Sequence, residues 1–119
     1  MKYKIKQKSE NKFKYNFNTK HPNYVFESNG DKYHAVGITH EESTFGIHNM
    51  PLSHNPKSGD KTKAYIRNGY IVNRQRSFSK KDIKNLKFSA EDIPNVKSKV
   101  RHYKNLHKKS NKKPHKKSK

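Results

Sequence analysis

The chain has 119 residues, with 29 Lys or Arg against 9 Asp or Glu, a formal net charge of +20, and a hydrophobic fraction of only 28%. This length allows one domain, and such a composition is typical of chains that do not fold along their whole length. The absence of cysteine excludes disulfides and thiolate zinc sites. There is no apolar run of about 18 residues and no secretory signal at the N-terminus, so we expect a cytoplasmic protein that does not span a membrane.

The excess positive charge lies at the two ends of the chain. Residues 1–20 hold seven Lys and one Glu, and residues 97–119 hold eleven Lys or Arg and no acid. Residues 21–96 are nearly balanced, with eleven bases and eight acids. We therefore predict three parts. They are a basic arm or edge strand at 1–20, a single small β-rich core with a C-terminal helix at 21–106, and a disordered Lys-rich tail at 107–119.

The core begins with strand signals. Aromatic residues alternate with polar ones over residues 12–17, which predicts an edge strand. Strand-forming residues on both sides of Asn29-Gly30 predict a β-hairpin, because this dipeptide tolerates the positive φ of a tight turn. Asn68-Gly69 predicts a second hairpin for the same reason. Residues 41–63 are predicted to form a long loop, which in a small domain is usually functional or disordered.

The second half of the core carries two Ser-x-x-Asp signatures of helix N-termini. Ser79 with Asp82 predicts a short helix through Leu86. Ser89 with Asp92 predicts a helix from about Ala90 or Pro94 to Lys108, since Pro is tolerated in a first turn. Together these patterns predict a mostly β (α+β), barrel-like domain with one or two C-terminal helices.

The basic segments indicate a polyanionic partner. Lysine and arginine side chains bind phosphates and displace counterions, and the interspersed aromatic residues could stack on unpaired bases. We expect RNA or another single-stranded nucleic acid as the partner rather than a membrane surface, since no cluster of large apolar side chains accompanies the tail. A charge run that only keeps the protein soluble is the alternative. The predicted nucleic-acid-binding residues are Lys97, Lys99, Arg101, Lys104, Lys108, Lys109, Lys112 and Lys113.

Residues 31–49 and the arginines of the predicted second hairpin suggest a catalytic site. Metal-free RNA cleavage needs a base, an acid and a cation on the phosphorane, and His and Arg supply these roles. A plain surface or core role is the alternative for each histidine. His34 lies six residues before His40, roughly 20 Å away along an extended strand, so it cannot join the same site without a bend and is assigned a structural role. No cofactor is expected, and no metal, because the spacing of the histidines is not that of a zinc site. The predicted catalytic residues are Thr39, His40, Ser43, Arg67 and Arg76.

The order of elements resembles a known family. "AVGITH" on a strand, "MPLSHNP" in a long loop, "KAYIRNG" on a further strand and "FS..DIKNLKFSAEDI" before a closing helix resemble the PemK/MazF-like ribonuclease toxins. The resemblance covers residues 21–106. It implies an SH3-like barrel, a metal-independent endoribonuclease, and an antitoxin partner, whether protein or RNA. Of the family's site residues only Thr39 and Arg67 match, because the Arg of the family's first long loop has no counterpart between residues 21 and 63.

A non-catalytic function is the alternative. The same composition suits a nucleic-acid-binding accessory protein of a phage or mobile element, or an inhibitor of a nucleoprotein complex. Growth arrest on expression of the protein, relieved by His40→Ala with Arg67→Ala, would separate the enzyme from both.

Overall fold

A computed structural model describes the backbone of residues 7–112 and the side chains of residues 8–106. The described residues form a mostly β globule with one long helix near the C-terminus. The strands are β1 (Gln7–Asn16), β2 (His21–Asn29), β3 (Lys32–Thr39), β4 (Ser43–Thr44), β5 (Ile47–His48), β6 (Met50–Pro51), β7 (Tyr65–Ile66) and β8 (Ile71–Arg74). A 3-10 turn (Gln75–Ser77) follows β8, and helix α1 is Ile93–Lys112.

Six strands form one antiparallel sheet in the order β1-β2-β3-β7-β6, with β8 also paired to β3. β1 contains the predicted edge strand at 12–17 except for Phe17, and it begins five residues earlier than the aromatic pattern indicated. Among the described strands, the pairing runs as an open path, so the SH3-like barrel expected from the family resemblance is not closed. The segment after β8 meets β1 at the isolated bridge between Asn16 and Phe78.

The first predicted hairpin is confirmed. β2 and β3 pair with Asn29 opposite Lys32, so the two-residue loop is Gly30-Asp31. Gly30 has a φ of 66°, a conformation that side chains with a Cβ disfavour. The Asn-Gly dipeptide therefore provides the turn, with its glycine as the first loop residue.

The second predicted hairpin is wrong, because β7 and β8 do not pair with each other. Both pair with β3, β7 opposite Ile38 and Thr39 and β8 opposite residues 32–35. Asn68-Gly69 lies between them as a bulge in one interrupted strand, and Gly69 has a φ of 97°. The local signal for positive φ was correct, but the free edge of β3 was a better hydrogen-bonding partner than a newly formed hairpin.

The predicted long loop at 41–63 contains structure of its own. β4 and β5 form a small hairpin whose two-residue turn is Phe45-Gly46. Both turn residues have positive φ, 53° and 79°, and the Phe45 side chain is 95% exposed. The Phe45 side chain is therefore not part of the core. β6 then leads from the hairpin back to the main sheet beside β7.

The short helix predicted after Ser79 is wrong. This segment instead lies along the outer edge of β1, where Ser79 N donates to Tyr15 O and Ile83 N donates to Phe13 O, both at 2.8 Å. A short helix is costly to nucleate, and the unpaired edge of β1 satisfies the same backbone groups. The Asp82 side chain binds Lys14 rather than capping a helix.

The second helix is confirmed, starting at Ile93 with Pro94 in its first turn. Ser89 Oγ accepts from Asp92 N and donates to the Asp92 carboxylate, and Val96 N donates to Asp92 O, which places Asp92 at the N-cap. α1 continues to Lys112, beyond the start of the tail that the sequence set at residue 107. No helix among the described residues is long and apolar enough to cross a membrane.

The main core lies between the sheet and α1. Phe26, Val36 and Ile66 are 1% exposed and pack with Val96 and Tyr103 of the helix. The ring of His34 is buried on this face, with its Nδ1 3.3 Å from Glu27 Oε1. The structural role predicted for His34 agrees with this burial.

Candidate nucleic-acid interface

Most acidic side chains of this protein contact other groups of the same chain. Carboxylates contact Lys12, Ser28, His34, Thr44, Thr62, Lys14, His54 and the backbone of residues 53 and 54. Among the side chains of residues 8–106, Lys12 and Lys14 are the only lysines or arginines that form ion pairs. The other lysine and arginine side chains described here therefore have no carboxylate within ion-pair distance.

Arg76 lies at the hairpin end of the sheet. Gln75 N donates to Asp31 O, so the neighbouring Arg76 sits beside the start of β3 rather than its end at Thr39. The length of β3 separates these points, which is about 20 Å along a strand. Arg76 is thus not brought together with Thr39 and His40, contrary to the grouping that the sequence suggested.

Arg76 instead lines a cavity of about 540 Å³ on the face of the sheet opposite α1. Tyr33 and Phe78 form its apolar floor, and their rings meet edge to face at 5.3 Å between centroids. Phe17, which is 54% exposed, and Lys80 line the same cavity. Aromatic and cationic groups therefore meet in one concave site.

Two buried polar groups hold the walls of this cavity. Lys14 is 4% exposed, and its Nζ lies within 3.0 Å of Ser79 O, Lys80 O and the Asp82 carboxylate. These three acceptors match the three protons of an ammonium group, so burial leaves none of them unsatisfied. Lys14 thereby ties the segment that carries Lys80 to the sheet.

The second group is Asn16, which is fully buried. Its amide nitrogen donates to the side-chain oxygens of Asn23 and Asn73, each at 3.1 Å, and its oxygen accepts from the backbone nitrogens of residues 18 and 19. The donors and acceptors of this side chain are thus all used, and they join the 17–20 turn to the sheet. The turn that carries Phe17 therefore has a defined position.

Thr39 and Ser43 do not meet at an open site. The Thr39 side chain is 3% exposed, and its hydroxyl accepts from Glu41 N, which stabilises the turn after β3. Ser43 lies on β4, paired with His48 and exposed. Thr39 therefore has a local structural contact that the sequence did not indicate.

His40 is exposed and adjoins a different group of cations. Its Nδ1 lies 3.1 Å from Lys63 O. A carbonyl only accepts, so Nδ1 carries the proton and a neutral ring has Nε2 as its proton acceptor. The neighbouring loop forms a cleft of about 680 Å³, lined by His54, Lys57, Lys61, Lys63 and Tyr65 among others.

Electrostatics link His40 to this cleft. Hydrogen bonds from Thr62, together with the charges of His40 and Lys57, lower the pKa of Asp60 below its ordinary value. His54, which lines the cleft, has its Nε2 2.8 Å from Glu91 Oε1. The cleft thus combines two exposed histidines at its border and lining with three lysines.

Arg67 is half-buried on the same face of the sheet as Thr39. Its backbone nitrogen donates to Gly37 O, and its side chain crosses Gly37, where an added Cβ would lie 3.3 Å from Arg67 Cδ. The absence of a side chain at residue 37 leaves room for the Arg67 stem to lie close to the strand.

Helix α1 carries the lysines that the sequence assigned to nucleic acid. Lys97 and Arg101 are exposed, Lys99 Nζ lies 5.4 Å from the centre of the Tyr103 ring, and Lys104 Nζ donates to Ser9 Oγ. The helix backbone includes Lys108, Lys109 and Lys112, and Lys113 lies outside the described residues. The sequence from Ile93 to Lys112 contains no acid, so the helix brings its bases together without compensation.

The sequence missed Phe17, Lys80 and the lysines of the 57–63 loop as site residues. Lysines around Gly59 in a long loop were a usable signal for the cleft, but nothing local connected Phe17 with Arg76. In the part of the chain that the structure describes, no three His, Asp or Glu side chains converge to hold a metal.

Comparison with known proteins found no matching family model, no matching curated protein and no matching solved structure. The function is therefore argued from this geometry alone.

Proposed function

We propose that this protein binds RNA, or another single-stranded nucleic acid, through its uncompensated cationic surface. The observation that carries this proposal is the contrast between acids engaged within the fold and bases left without carboxylate partners. Bases in this state gain most from phosphate, because each contact releases counterions from the nucleic acid. The exposed helix residues Lys97 and Arg101, the Arg76 cavity and the 51–65 cleft all contribute to this surface.

The test is binding of labelled single-stranded RNA at several salt concentrations. We expect log K to fall linearly with log salt between about 50 and 200 mM, because the released counterions set the slope. Deleting residues 107–119 removes seven Lys, and replacing Lys57, Lys61 and Lys63 with Gln removes three from the cleft. Each variant should bind more weakly with a shallower slope. Absence of salt-dependent binding by the full chain would refute the proposal.

Cleavage of the bound RNA is the second candidate, and the 51–65 cleft is the observation that favours it. His40 has the tautomer of a general base, and His54 lies on the same cleft with Lys57 and Lys63 close by. A base would take the 2′-hydroxyl proton, the 2′-oxygen would attack phosphorus, and an acid would protonate the departing 5′-oxygen. This assignment retains His40 and replaces the arginines of the earlier grouping with lysines. In this proposal the enzyme is of toxin type, and an antitoxin would be its partner in the host.

Cleavage is tested with labelled RNA in the presence of EDTA. We expect His40→Ala or His54→Ala to slow cleavage by about 10²- to 10⁴-fold. His48→Ala is the matched control, since His48 is exposed on the neighbouring β5 strand and should not matter. A DNA strand should remain intact because it lacks the 2′-hydroxyl. Binding without any cleavage would leave the accessory-protein function.

A further inference from the structure

We propose that the cavity between Phe17 and Lys80 binds one nucleotide of a single strand, with its base against Phe17 and its phosphate at Arg76. This inference rests on the proposed function and names the part of the ligand that the cavity recognises. It adds a base-contacting site to a surface that otherwise recognises phosphate. Its volume of about 540 Å³ is in the range of small-ligand pockets.

The aromatic side of the cavity suits a nucleobase. Phe17 is 54% exposed, and its ring meets that of Tyr15 at 5.7 Å between centroids. An exposed aromatic at a turn loses its contact with water only if something covers it, and every base has a face that can do so. The buried rings of Tyr33 and Phe78 line the same cavity and give it a further apolar surface.

The cationic side of the cavity suits a phosphate. Among the described side chains, Arg76 and Lys80 are exposed and form no ion pair, and no carboxylate lines this cavity. The guanidinium fork can bind phosphate through two parallel hydrogen bonds, and the ammonium group adds a point charge. Lys14 also lines the cavity, but its charge is already neutralised by Asp82, so it positions Lys80 rather than contacting the ligand.

The walls are held in place before any ligand arrives. Asn16 fixes the turn that carries Phe17, and Lys14 fixes the segment that carries Lys80. Both side chains are buried and have all the partners described above. Because the backbone of this turn and of this segment is already ordered by buried polar contacts, binding costs less entropy.

The chain contains no tryptophan, so Phe17→Trp creates a single fluorescent reporter inside the cavity. We expect an oligouridine of about 12 nucleotides to quench this fluorescence, whereas inorganic tripolyphosphate should bind without quenching because it has no base. Uridine 5′-monophosphate should quench only at much higher concentration than the strand. Equal affinity for the monophosphate would overturn the assignment to a strand, and binding of the strand without quenching would overturn the site.

Affinity measurements provide the second test. Phe17→Leu should weaken oligouridine binding by about 5- to 150-fold, the range measured for loss of one stacked base, and leave tripolyphosphate binding unchanged. Phe45→Leu is the matched control, because Phe45 is also an exposed phenylalanine in a turn but lies outside the cavity. Equal effects of the two substitutions would refute the inference.

Arg76 is tested in the same way against Arg74, an exposed arginine two residues away that does not line the cavity. Arg76→Gln should weaken binding of both the strand and tripolyphosphate more than Arg74→Gln does. If the full chain binds neither ligand, the proposed function fails together with this inference. If it binds both and neither Phe17 nor Arg76 matters, only this inference fails.

Discussion

On one face of β3, Val36 and Ile38 pack toward helix α1 in an apolar cluster, whereas on the other face Gly37 lies beneath the side chain of Arg67. Both faces are buried, as the burial of β3 from Tyr33 to Thr39 shows. The apolar face contains Phe26 and two helix residues, and the opposite face combines a small cluster around Phe78 with hydrogen-bonded asparagines. We call these the helix face and the asparagine face.

The two faces of the sheet are stabilised by different interactions. Apolar burial is non-directional and stabilises the fold, so it is concentrated on the helix face. Hydrogen bonds are directional, and on the asparagine face they define the positions of the Phe17 turn and of the Lys80 segment. Substitutions on the helix face should therefore change stability most, and those on the asparagine face should change binding as well.

The largest effect is expected from Phe26→Ala on the helix face. Phe26 is 1% exposed and packs with Tyr70 and Tyr103, so its removal leaves a cavity in the main core. We expect a loss of about 3–5 kcal/mol in the free energy of unfolding. Urea denaturation followed by circular dichroism measures it. A loss below that of any asparagine-face variant would contradict the division between the faces.

A smaller loss with a second consequence is expected from Asn16→Ala on the asparagine face. The substitution leaves the buried oxygen of Asn23 and two turn nitrogens without their partner, a cost of about 1–3 kcal/mol. It should also weaken oligouridine binding, since the Phe17 turn is no longer held. Phe26→Ala, measured in conditions where it remains folded, should bind normally. Equal oligouridine binding by both variants would contradict the proposed difference between the two faces.

The stability of the protein should depend on pH through Asp92, which joins the start of α1 to the backbone of Ser53 and His54. Burial acts to raise the pKa of this carboxyl group, but hydrogen bonds from the backbone of Ser53 and His54 and from Ser89 outweigh it and lower the pKa below its ordinary value of 3.8. A native pKa below the unfolded one means that ionised Asp92 stabilises the fold. That contribution is complete above pH 3.8 and is lost as the pH falls through the native value.

Asp92→Asn tests this dependence. The variant should be less stable than the wild type at neutral pH, because the introduced amide lacks the charge and one of the two acceptor oxygens. The difference in unfolding free energy should shrink as the pH falls through and below 3.8. Glu10 and Asp60 titrate in both proteins and cancel in the difference. A difference that stays constant with pH would show that the charge of Asp92 does not stabilise the fold.

The smallest effect is expected from Gly37→Ala, on the asparagine face beneath Arg67. The new Cβ would lie 3.3 Å from Arg67 Cδ, but that stem is half-buried and flexible and can move by a few tenths of an ångström. Since Gly37 is not in the positive-φ region, we expect a change within about 0.5 kcal/mol. A large loss would mean that Arg67 is held more rigidly than its partial exposure suggests.

From the sequence, the types of residue in the interface could be predicted, but not which of them lie together. The lysines of α1 and the exposed histidine at residue 40 were identified from composition and residue type. The partners of Arg76 could not be, because Phe17 lies 59 positions earlier in the chain and meets it only through the packing of β1 against the segment after β8. The role of Thr39 could not be predicted for a related reason, because its hydroxyl accepts a hydrogen bond from Glu41 N in the turn that follows β3.

By itself the sequence determined the features that depend on neighbouring residues. These are the turn at Gly30, the helix start around Asp92 and the basic charge of the helix. Only the tertiary structure decided the fate of Asn68-Gly69 and of the segment after Ser79, which became a bulge and an edge segment instead of a hairpin and a helix. The physical reason is that a backbone bonds to whichever strand edge folding brings beside it, and the edges of β1 and β3 are formed by residues remote in the sequence.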